Sequence, residues 1–246
     1  MGIGAPRRTP RSARGILALL AALALAAGLS GCGVSRDLGP PATEERDVDG
    51  ATAVDLRTSG DLTITTEDEP SLTVTAGANV IGDLTSDVRD GVLVLGRDGP
   101  RLWGYGDVRY ELQLPSLEGI RVSGSGDVDV DRVDSQRLDV VVSGSGSVRA
   151  AEVAVTDIAA DISGSGSIAL TGSADQQDVR ISGSGSYSAD RLTTKEARVV
   201  ISGSGNAGVH ASDALAAEVS GSGTVTYAGD PQVTSRVSGS GRVEEG

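Results

Sequence analysis

Three aromatic residues lie close together near the middle of the chain. Trp103, Tyr105 and Tyr110 are three of the five aromatic residues in the protein and fall within eight positions. Gly104 and Gly106 stand between them. Aromatic side chains on a glycine-rich loop can stack on sugar rings or pack against a protein partner. We therefore predict a contact patch here, with the covering of one end of a β-core as the structural alternative.

The acidic residues and the single histidine offer less chemistry. Asp127, Asp129 and Asp131 alternate along one segment, so a strand would turn all three outward. One strand supplies at most about half of the six to eight oxygens that calcium requires, so we predict solvated carboxylates and no metal. His210 lies near Asp213 and serine is abundant. A Ser–His–Asp arrangement therefore stays open, although the sequence contains no nucleophile-elbow motif.

Composition excludes several classes of protein. The chain has 246 residues, 38% of them hydrophobic, and a formal net charge of -13. That charge makes nucleic acid an unfavourable partner. One Cys excludes a disulfide framework and a cysteine-based zinc site, and one His excludes sites that need a histidine pair. The 35 glycines and 2% aromatic residues argue against a helical enzyme, and no cofactor is indicated.

The first 31 residues have the organisation of an export signal. Four arginines precede an apolar run at residues 16–28, which is shorter than the about 20 residues of a membrane-spanning helix. Residues 29–32 (LSGC) follow and resemble a bacterial lipobox. This resemblance implies cleavage after Gly31 and diacylglyceryl attachment to Cys32. We predict a lipoprotein signal peptide over residues 1–31, with an ordinary secretory signal as the alternative.

Residues 32–49 are predicted to comprise the lipidated Cys32 and a flexible tether. The segment contains two consecutive prolines after a glycine and a run of charges at residues 44–46, which is typical of weakly ordered linkers. The membrane is thus the predicted partner through the lipid on Cys32. The expected location is extracytoplasmic, at the outer face of the plasma membrane or in the periplasm or outer membrane.

An internal repeat organises most of the remaining chain. Ser-Gly-Ser-Gly occurs seven times at intervals of 18 to 20 residues, with copies beginning at Ser123, Ser143, Ser163, Ser182, Ser202, Ser220 and Ser238. Apolar and polar residues alternate on both sides of each copy, which indicates half-buried strands. A unit of strand, corner, strand and polar turn is too short for a crossover helix. We predict an all-β solenoid, with seven parallel coils at residues 118–246.

The tetrapeptide itself must meet a steric need. Glycine inside a strand costs roughly 0.5–1 kcal/mol relative to alanine, so the repeated glycines indicate a tight corner, a positive φ or a close backbone approach. The serines have the outward parity, and we expect their hydroxyls to form ladders from coil to coil. The backbone could also cradle an anion, but the motif contains no Lys.

The preceding part of the domain, residues 50–117, also has the alternation of β-strands. Residues 59–62 (SGDL) look like a degenerate early repeat. We therefore predict that this part continues the solenoid and covers its N-terminal end, giving one domain over residues 50–246.

These motifs, in this order, resemble the head GIN domain family of adhesin heads in bacterial envelope proteins. The matching segments are residues 59–64 (SGDLTI), 90–94 (DGVLV), 110–117 (YELQLPSL), 120–128 (IRVSGSGDV) and 227–231 (YAGDP), with the later Ser-Gly-Ser-Gly copies. The resemblance covers about residues 50–243. It implies a right-handed parallel β-helix-like fold, an extracytoplasmic location and no catalytic residues. Asp127 follows the first copy only, which weakens any aspartate ladder for cations.

The sequence therefore predicts a non-enzymatic, lipid-anchored cell-envelope protein with an adhesin-like or scaffolding solenoid surface. Its expected partner is a cell-envelope polysaccharide or protein. The first alternative is a polysaccharide-acting β-helix enzyme, which would need carboxylates clustered with Lys or Arg in a groove. The second is self-assembly through stacked solenoid ends, opposed by the charges near the C-terminal edge. The third is surface or ice binding by the serine rows.

Overall fold

The computed structural model describes Met1, residues 37–99 and residues 106–246. The chain divides into two compact units, Met1–Arg36 and Asp37–Gly246, and the strands described below all belong to the second. Apart from Met1, the predicted signal peptide and Cys32 lie outside the described residues. Where the structure describes the chain, it contains no helix both long enough and apolar enough to cross a membrane.

Eight strands precede the first Ser-Gly-Ser-Gly copy. They are β1 (Pro41–Arg46), β2 (Ala53–Leu56), β3 (Asp61–Thr66), β4 (Ser71–Gly77), β5 (Leu84–Arg89), β6 (Val92–Arg97), β7 (Arg109–Leu114) and β8 (Gly119–Val122). In β7 the burial alternates residue by residue, because successive side chains of a strand point to opposite faces. A 3₁₀ turn, Ile81–Asp83, precedes β5.

Eight further strands carry the repeats. They are β9 (Asp127–Val142), β10 (Ser147–Gly164), β11 (Ser167–Gly183), β12 (Ser186–Gly203), β13 (Asn206–Gly221), β14 (Thr224–Ala228), β15 (Gln232–Gly239) and β16 (Arg242–Glu245). Successive repeats pair in parallel, so that Val148 lies between Val128 and Ile168. The predicted all-β solenoid is therefore confirmed: 72% of the structure is strand, and the coils make about six turns instead of seven.

The second bend of each coil differs from the prediction. The sequence predicts a polar turn at residues 171–177, but this segment lies inside the continuous strand β11. The irregularity is instead a shift in pairing register, between Ala169 and Thr171 in the β11–β12 ladder. Such a bulge bends a strand without ending it. The predicted turn at residues 230–231 does separate β14 from β15.

The core consists of columns in which one inward-facing residue of each coil stacks on its equivalent in the next. One column contains Leu95, Leu56, Val122, Val142, Ile162, Ile181, Ile201, Val219 and Val237. Every member before Val237 is at most 1% exposed. Each such side chain contributes about 1.5–3 kcal/mol by burial, so stacking alone buries a continuous core without help from helices.

The glycines of the repeated corner are required by close backbone approach. At Gly183 a Cβ atom would stand 2.5 Å from the carbonyl oxygen of Gly164 in the preceding coil, and φ is +130°. Gly164 meets the carbonyl oxygen of Gly144 in the same way. No other residue fits both conditions without displacing backbone. The sequence-based expectation of a positive φ or a close approach is thus confirmed, and here both apply.

The early repeat is also confirmed, although the chain visits the first coils out of order. A Cβ atom at Gly126 would meet the carbonyl oxygen of Gly60, which places residues 59–62 in the glycine columns. Strand β2 pairs in parallel with β6 on one side and β8 on the other. Strand β3 likewise lies between β7 and β9. The first coil in the chain is therefore the second coil in space.

Antiparallel strands close the N-terminal end of the solenoid, and one of them corrects the predicted tether. Strand β4 pairs with β7, β1 pairs with β4, and β5 pairs with β6, all antiparallel. Residues 41–46 therefore belong to the folded domain. The side chain of Arg46 explains this, because it donates hydrogen bonds to the carbonyls of Leu84 (2.7 Å) and Ile81 (3.1 Å). The composition of this segment resembles that of a linker, because most of its other side chains are polar or small and lie exposed on the strand.

We predict that Gly183→Ala lowers the free energy of unfolding of residues 37–246 by about 3 kcal/mol or more. The new methyl group would meet backbone, and a strained φ and overpacking each cost roughly 1–3 kcal/mol. Urea unfolding followed by circular dichroism measures the change. Ser182→Ala is the matched control, since its hydroxyl is exposed at the same corner, and it should change stability by less than about 0.5 kcal/mol. Equal stability of the two variants would contradict the steric role.

Candidate functional site

Of the three residues in the predicted aromatic patch, the structure describes Tyr110. Trp103 and Tyr105 lie outside the described residues. Tyr110 lies on β7 and is 1% exposed, its ring is adjacent to Gly60, and its hydroxyl accepts a hydrogen bond from Thr58 (3.4 Å). Burial raises the pKa of Tyr110. Tyr110 is therefore a core residue, and its inclusion in a contact surface was wrong because its inward parity in the strand removes it from solvent.

The three alternating aspartates face outward, as predicted, and each has its own partner. Asp127 accepts hydrogen bonds from the backbone N–H (3.1 Å) and the hydroxyl (2.6 Å) of Ser147 in the next coil. Asp129 lies 3.6 Å from the guanidinium of Arg149. Among the described residues there is no group of three or more ligating side chains that could hold a metal.

The residues around the histidine do not form a proton relay in the described structure. The hydroxyl of Ser212 donates to Asp213 (2.6 Å), and no described hydrogen bond joins either residue to the His210 ring. The backbone carbonyl of His210 accepts a hydrogen bond from Thr194 (2.7 Å). This arrangement is structural, since a triad needs the histidine between the hydroxyl and the carboxylate.

The expected hydroxyl ladders along the repeated corner are absent from the described hydrogen bonds. Among the motif serines there, Ser123 alone has a hydroxyl bond, to Asp55 (3.4 Å). The coils are held instead by backbone bonds such as Ser184 N–H to the carbonyl of Gly164 (2.9 Å). The motif hydroxyls are thus left to face solvent.

A groove of about 760 Å³ crosses six strands of the repeat region. Its first row of lining residues, in register from β9 to β15, is Arg137, Asp157, Gln176, Glu196, Ala214 and Gln232. Its second row is Ala159, Asp178, Arg198, Ala216 and Thr234. We call this the cross-strand groove. Charged, amide and hydroxyl side chains stand beside three alanines in these rows, so the surface is both concave and rich in hydrogen-bonding groups.

Two groups in the cross-strand groove are left without a protein partner. Asp178 forms an ion pair with Arg180 (2.8 Å) through Oδ2, while its buried Oδ1 has no hydrogen-bond partner in the described structure. Arg198 lies beside Asp178 in the register and forms no ion pair among the described residues. A buried polar atom without a partner is unusual in a folded protein. The groove therefore carries a carboxylate and a guanidinium on adjacent coils.

A buried polar network supports the floor of the groove. Gln177 occupies an inward position between Ile158 and Ala197. Its amide donates to the hydroxyl of Thr194 (2.8 Å) and accepts from the hydroxyl of Tyr187 (3.0 Å). Sequence reasoning missed this network, although aligning the repeats would have shown a glutamine in a column that is otherwise apolar.

Comparison with known proteins identifies relatives of the domain. The family described as "Putative auto-transporter adhesin, head GIN domain" matches residues 51–231. No curated protein is significantly similar to the chain. A crystal structure of a "putative adhesin" from Bacteroides fragilis has a TM-score of 0.80 and 22% identity, covering 84% of this chain and 97% of that chain.

Two structures from Parabacteroides distasonis are also similar. A "putative adhesin" has a TM-score of 0.67 and 25% identity, covering 85% of this chain and 98% of that chain. A "putative lipid binding protein" has a TM-score of 0.70 and 22% identity, covering 85% of this chain and 97% of that chain. At these identities the similarity supports a shared fold.

We predict that Tyr187→Phe lowers the free energy of unfolding by about 1–3 kcal/mol, because it leaves the oxygen of Gln177 buried without a donor. Burial also raises the pKa of Tyr187 above the ordinary value of 10.0. The folded state therefore keeps a proton that the unfolded chain loses above about pH 10. The stability from this group is complete below that pH and is lost as the pH rises toward the folded pKa.

Urea unfolding at neutral and alkaline pH tests both statements. The difference between the wild type and Tyr187→Phe should shrink above about pH 10, since only the wild type loses stability through this residue. Tyr227→Phe is the control, because Tyr227 is half-buried and its hydroxyl forms no described bond. A constant difference across pH would contradict the assignment.

Proposed function

The chain belongs to the head GIN domain family, and from this premise we propose that it is a non-enzymatic, lipid-anchored protein of the bacterial cell envelope. Its solenoid presents an adhesin-like surface to other envelope components. The adhesin descriptions of the family and of its structural neighbours support a surface role. The lipobox-like residues 29–32 support the anchor.

The observation that carries this proposal is the cross-strand groove. It lies on paired strands, is open to solvent, and contains the carboxylate of Asp178 and the guanidinium of Arg198, which forms no ion pair among the described residues. Sugar hydroxyls both donate and accept hydrogen bonds, so an extended polysaccharide satisfies an acceptor and a donor placed one coil apart. We therefore favour an envelope polysaccharide over a protein as the occupant. Trp103 and Tyr105, on the segment between β6 and β7, remain a second proposed contact.

Membrane attachment through Cys32 completes the proposal. Four residues, 33–36, separate Cys32 from Asp37, the first residue of the folded unit. Lipid on Cys32 would therefore be joined to the domain by a short covalent connection. Several acyl chains give stable anchoring, whereas the acidic chain has little affinity of its own for an anionic membrane.

We predict that residues 37–246, which contain the whole described core, co-sediment with purified cell-wall polysaccharide of the source bacterium. Ala216→Trp should reduce the bound fraction at least tenfold, because an indole in place of an exposed alanine fills the groove. Ala154→Trp, exposed on β10 away from the groove lining, is the matched control and should bind as the wild type does. A Trp103→Ala/Tyr105→Ala variant tests the second contact in the same assay.

Other results of this experiment have distinct meanings. Binding that neither the groove variant nor the aromatic variant weakens would reject both proposed contacts. Absence of sedimentation with the polysaccharide would direct the search to a protein partner. Release of reducing ends during incubation would show catalysis and favour the polysaccharide-acting enzyme.

A separate prediction concerns the anchor. Expressed in full in a bacterium that processes lipoproteins, the wild-type chain should partition into the membrane fraction and into detergent. Cys32→Ser should move it to the aqueous fraction, because the thiol that accepts the diacylglyceryl group is gone. Ser35→Ala is the neighbouring control. Unchanged partitioning of Cys32→Ser would contradict lipidation at this residue.

A further inference from the structure

The edge strands at the two ends of the parallel sheet differ in whether another strand covers them. At the N-terminal end the outer edges of β6 and β7 are covered by the antiparallel strands β5 and β4. At the other end β15 pairs only with β13, and β16 only with β14. Within the described residues 37–99 and 106–246, no strand covers the outer edge of β15, whose eight residues are all exposed. A bare edge is a template for pairing with another strand.

The bare edge of β15 is also apolar on its inner side. Val233 and Val237 are 39% and 42% exposed, and apart from Met1 they are the exposed large hydrophobic residues of the described chain. They extend the columns that end in the buried Leu215 and Val219 of β13. The core is thus closed at its first coil and left open at its last.

We propose that a second copy of this chain covers this edge, with the two β15 strands antiparallel about a two-fold axis at Ser235. In that register Val233 lies opposite Val237 of the second copy, and Val237 opposite Val233. Ser235 faces itself across the axis. Inward residues meet inward residues, so each copy continues the core of the other and the sheet runs through the interface. This inference does not depend on the proposed function.

Alternative registers are less favourable. A two-fold axis at Arg236 would place two guanidinium groups directly opposite each other, and like charges in that position are destabilising. An axis at Thr234 would set each Val233 against Ser235 and leave Val237 unmatched. An axis between residues would exchange the inward and outward faces. Axes at Val233 or Val237 would oppose one valine with its own copy but would pair fewer residues of β15, so the Ser235 register alone opposes both valines with valine.

Electrostatics also permits contact at this end. The chain as a whole carries a net charge of -13, but residues 232–246 contain two arginines and two glutamates and so have no net charge. In the Ser235 register Arg236 lies opposite Thr234 of the second copy. Contact between the last coils therefore brings no net like charge together.

The covered N-terminal end decides the type of assembly. Continuing the parallel ladder head to tail would need a free edge on β6 or β7, which β5 and β4 occupy. The outermost strands at that end are β5 and β1, and β1 contains Pro41 and the charges of residues 44–46, which disfavour pairing at an edge. A two-fold contact uses the same surface on both copies and closes on itself. The expected product is a dimer and not a filament, which separates this proposal from unlimited stacking of solenoid ends.

Cysteine cross-linking tests the register. Residues 37–246 contain no cysteine, so Ser235→Cys introduces a single thiol that meets its own copy across the axis. Opposed residues of antiparallel strands have Cα atoms about 4.5–5.5 Å apart, within the range of a disulfide. Under mild oxidation Ser235→Cys should form a covalent dimer. The control is Gln232→Cys, because Gln232 lies opposite Ser238 of the second copy and its two thiols would be six residues apart along the paired strands. This variant should form no covalent dimer.

Analytical ultracentrifugation across a wide concentration range tests the assembly itself. The wild type should approach twice the monomer mass, and Val233→Lys/Val237→Lys should remain monomeric with an unchanged unfolding midpoint, because both valines are already exposed. Val200→Lys, on the outward side of the doubly paired strand β12, should dimerise normally. A wild type that stays monomeric at every concentration, larger oligomers that grow with concentration, or cross-linking of Gln232→Cys but not Ser235→Cys would overturn the proposal.

Discussion

The close approach of backbone at the repeated corner governs the rest of this fold. Each coil places a carbonyl oxygen where the next coil would otherwise have a Cβ atom, as at Gly164 and Gly183. Two columns of glycine follow from that contact. The backbone hydrogen bonds that join successive corners exist because nothing stands between the chains. If the corners were wider, the coils could not stack in register and the apolar columns would not close.

The serines between those glycines have a different role from the one their regularity suggests. Stacking sets their hydroxyls one coil apart, and no described hydrogen bond joins one motif hydroxyl to the next. They do not tie the coils together but keep the corner polar and small. Stability comes instead from the inward columns and the backbone ladders, with a few buried polar groups such as Gln177 specifying the local packing. A solenoid of this kind can tolerate a varied outer surface, because outward residues contribute little to stacking.

That freedom of the outer surface is where function can arise. The cross-strand groove draws one to four residues from each of six strands, and its Asp178 and Arg198 come from neighbouring coils. The edge of β15 also arises from position, since its valines continue the core columns on the outermost described coil. Both surfaces are products of stacking and neither coincides with a local sequence motif.

The periodic features of this protein could be predicted from its sequence: the alternation of strands, the parallel coils, the steric need for glycine and the early repeat at residues 59–62. These features are local or repeat at a fixed interval, so the pattern of one repeat predicts the structure of the others. Three other features could be seen only in the folded structure: Arg46 holds residues 41–46 in the sheet, Tyr110 is buried, and Asp178 and Arg198 share a groove. Each of those outcomes depends on contacts between distant segments, and the energy of such a contact is set by what lies opposite a residue and not by the residues beside it.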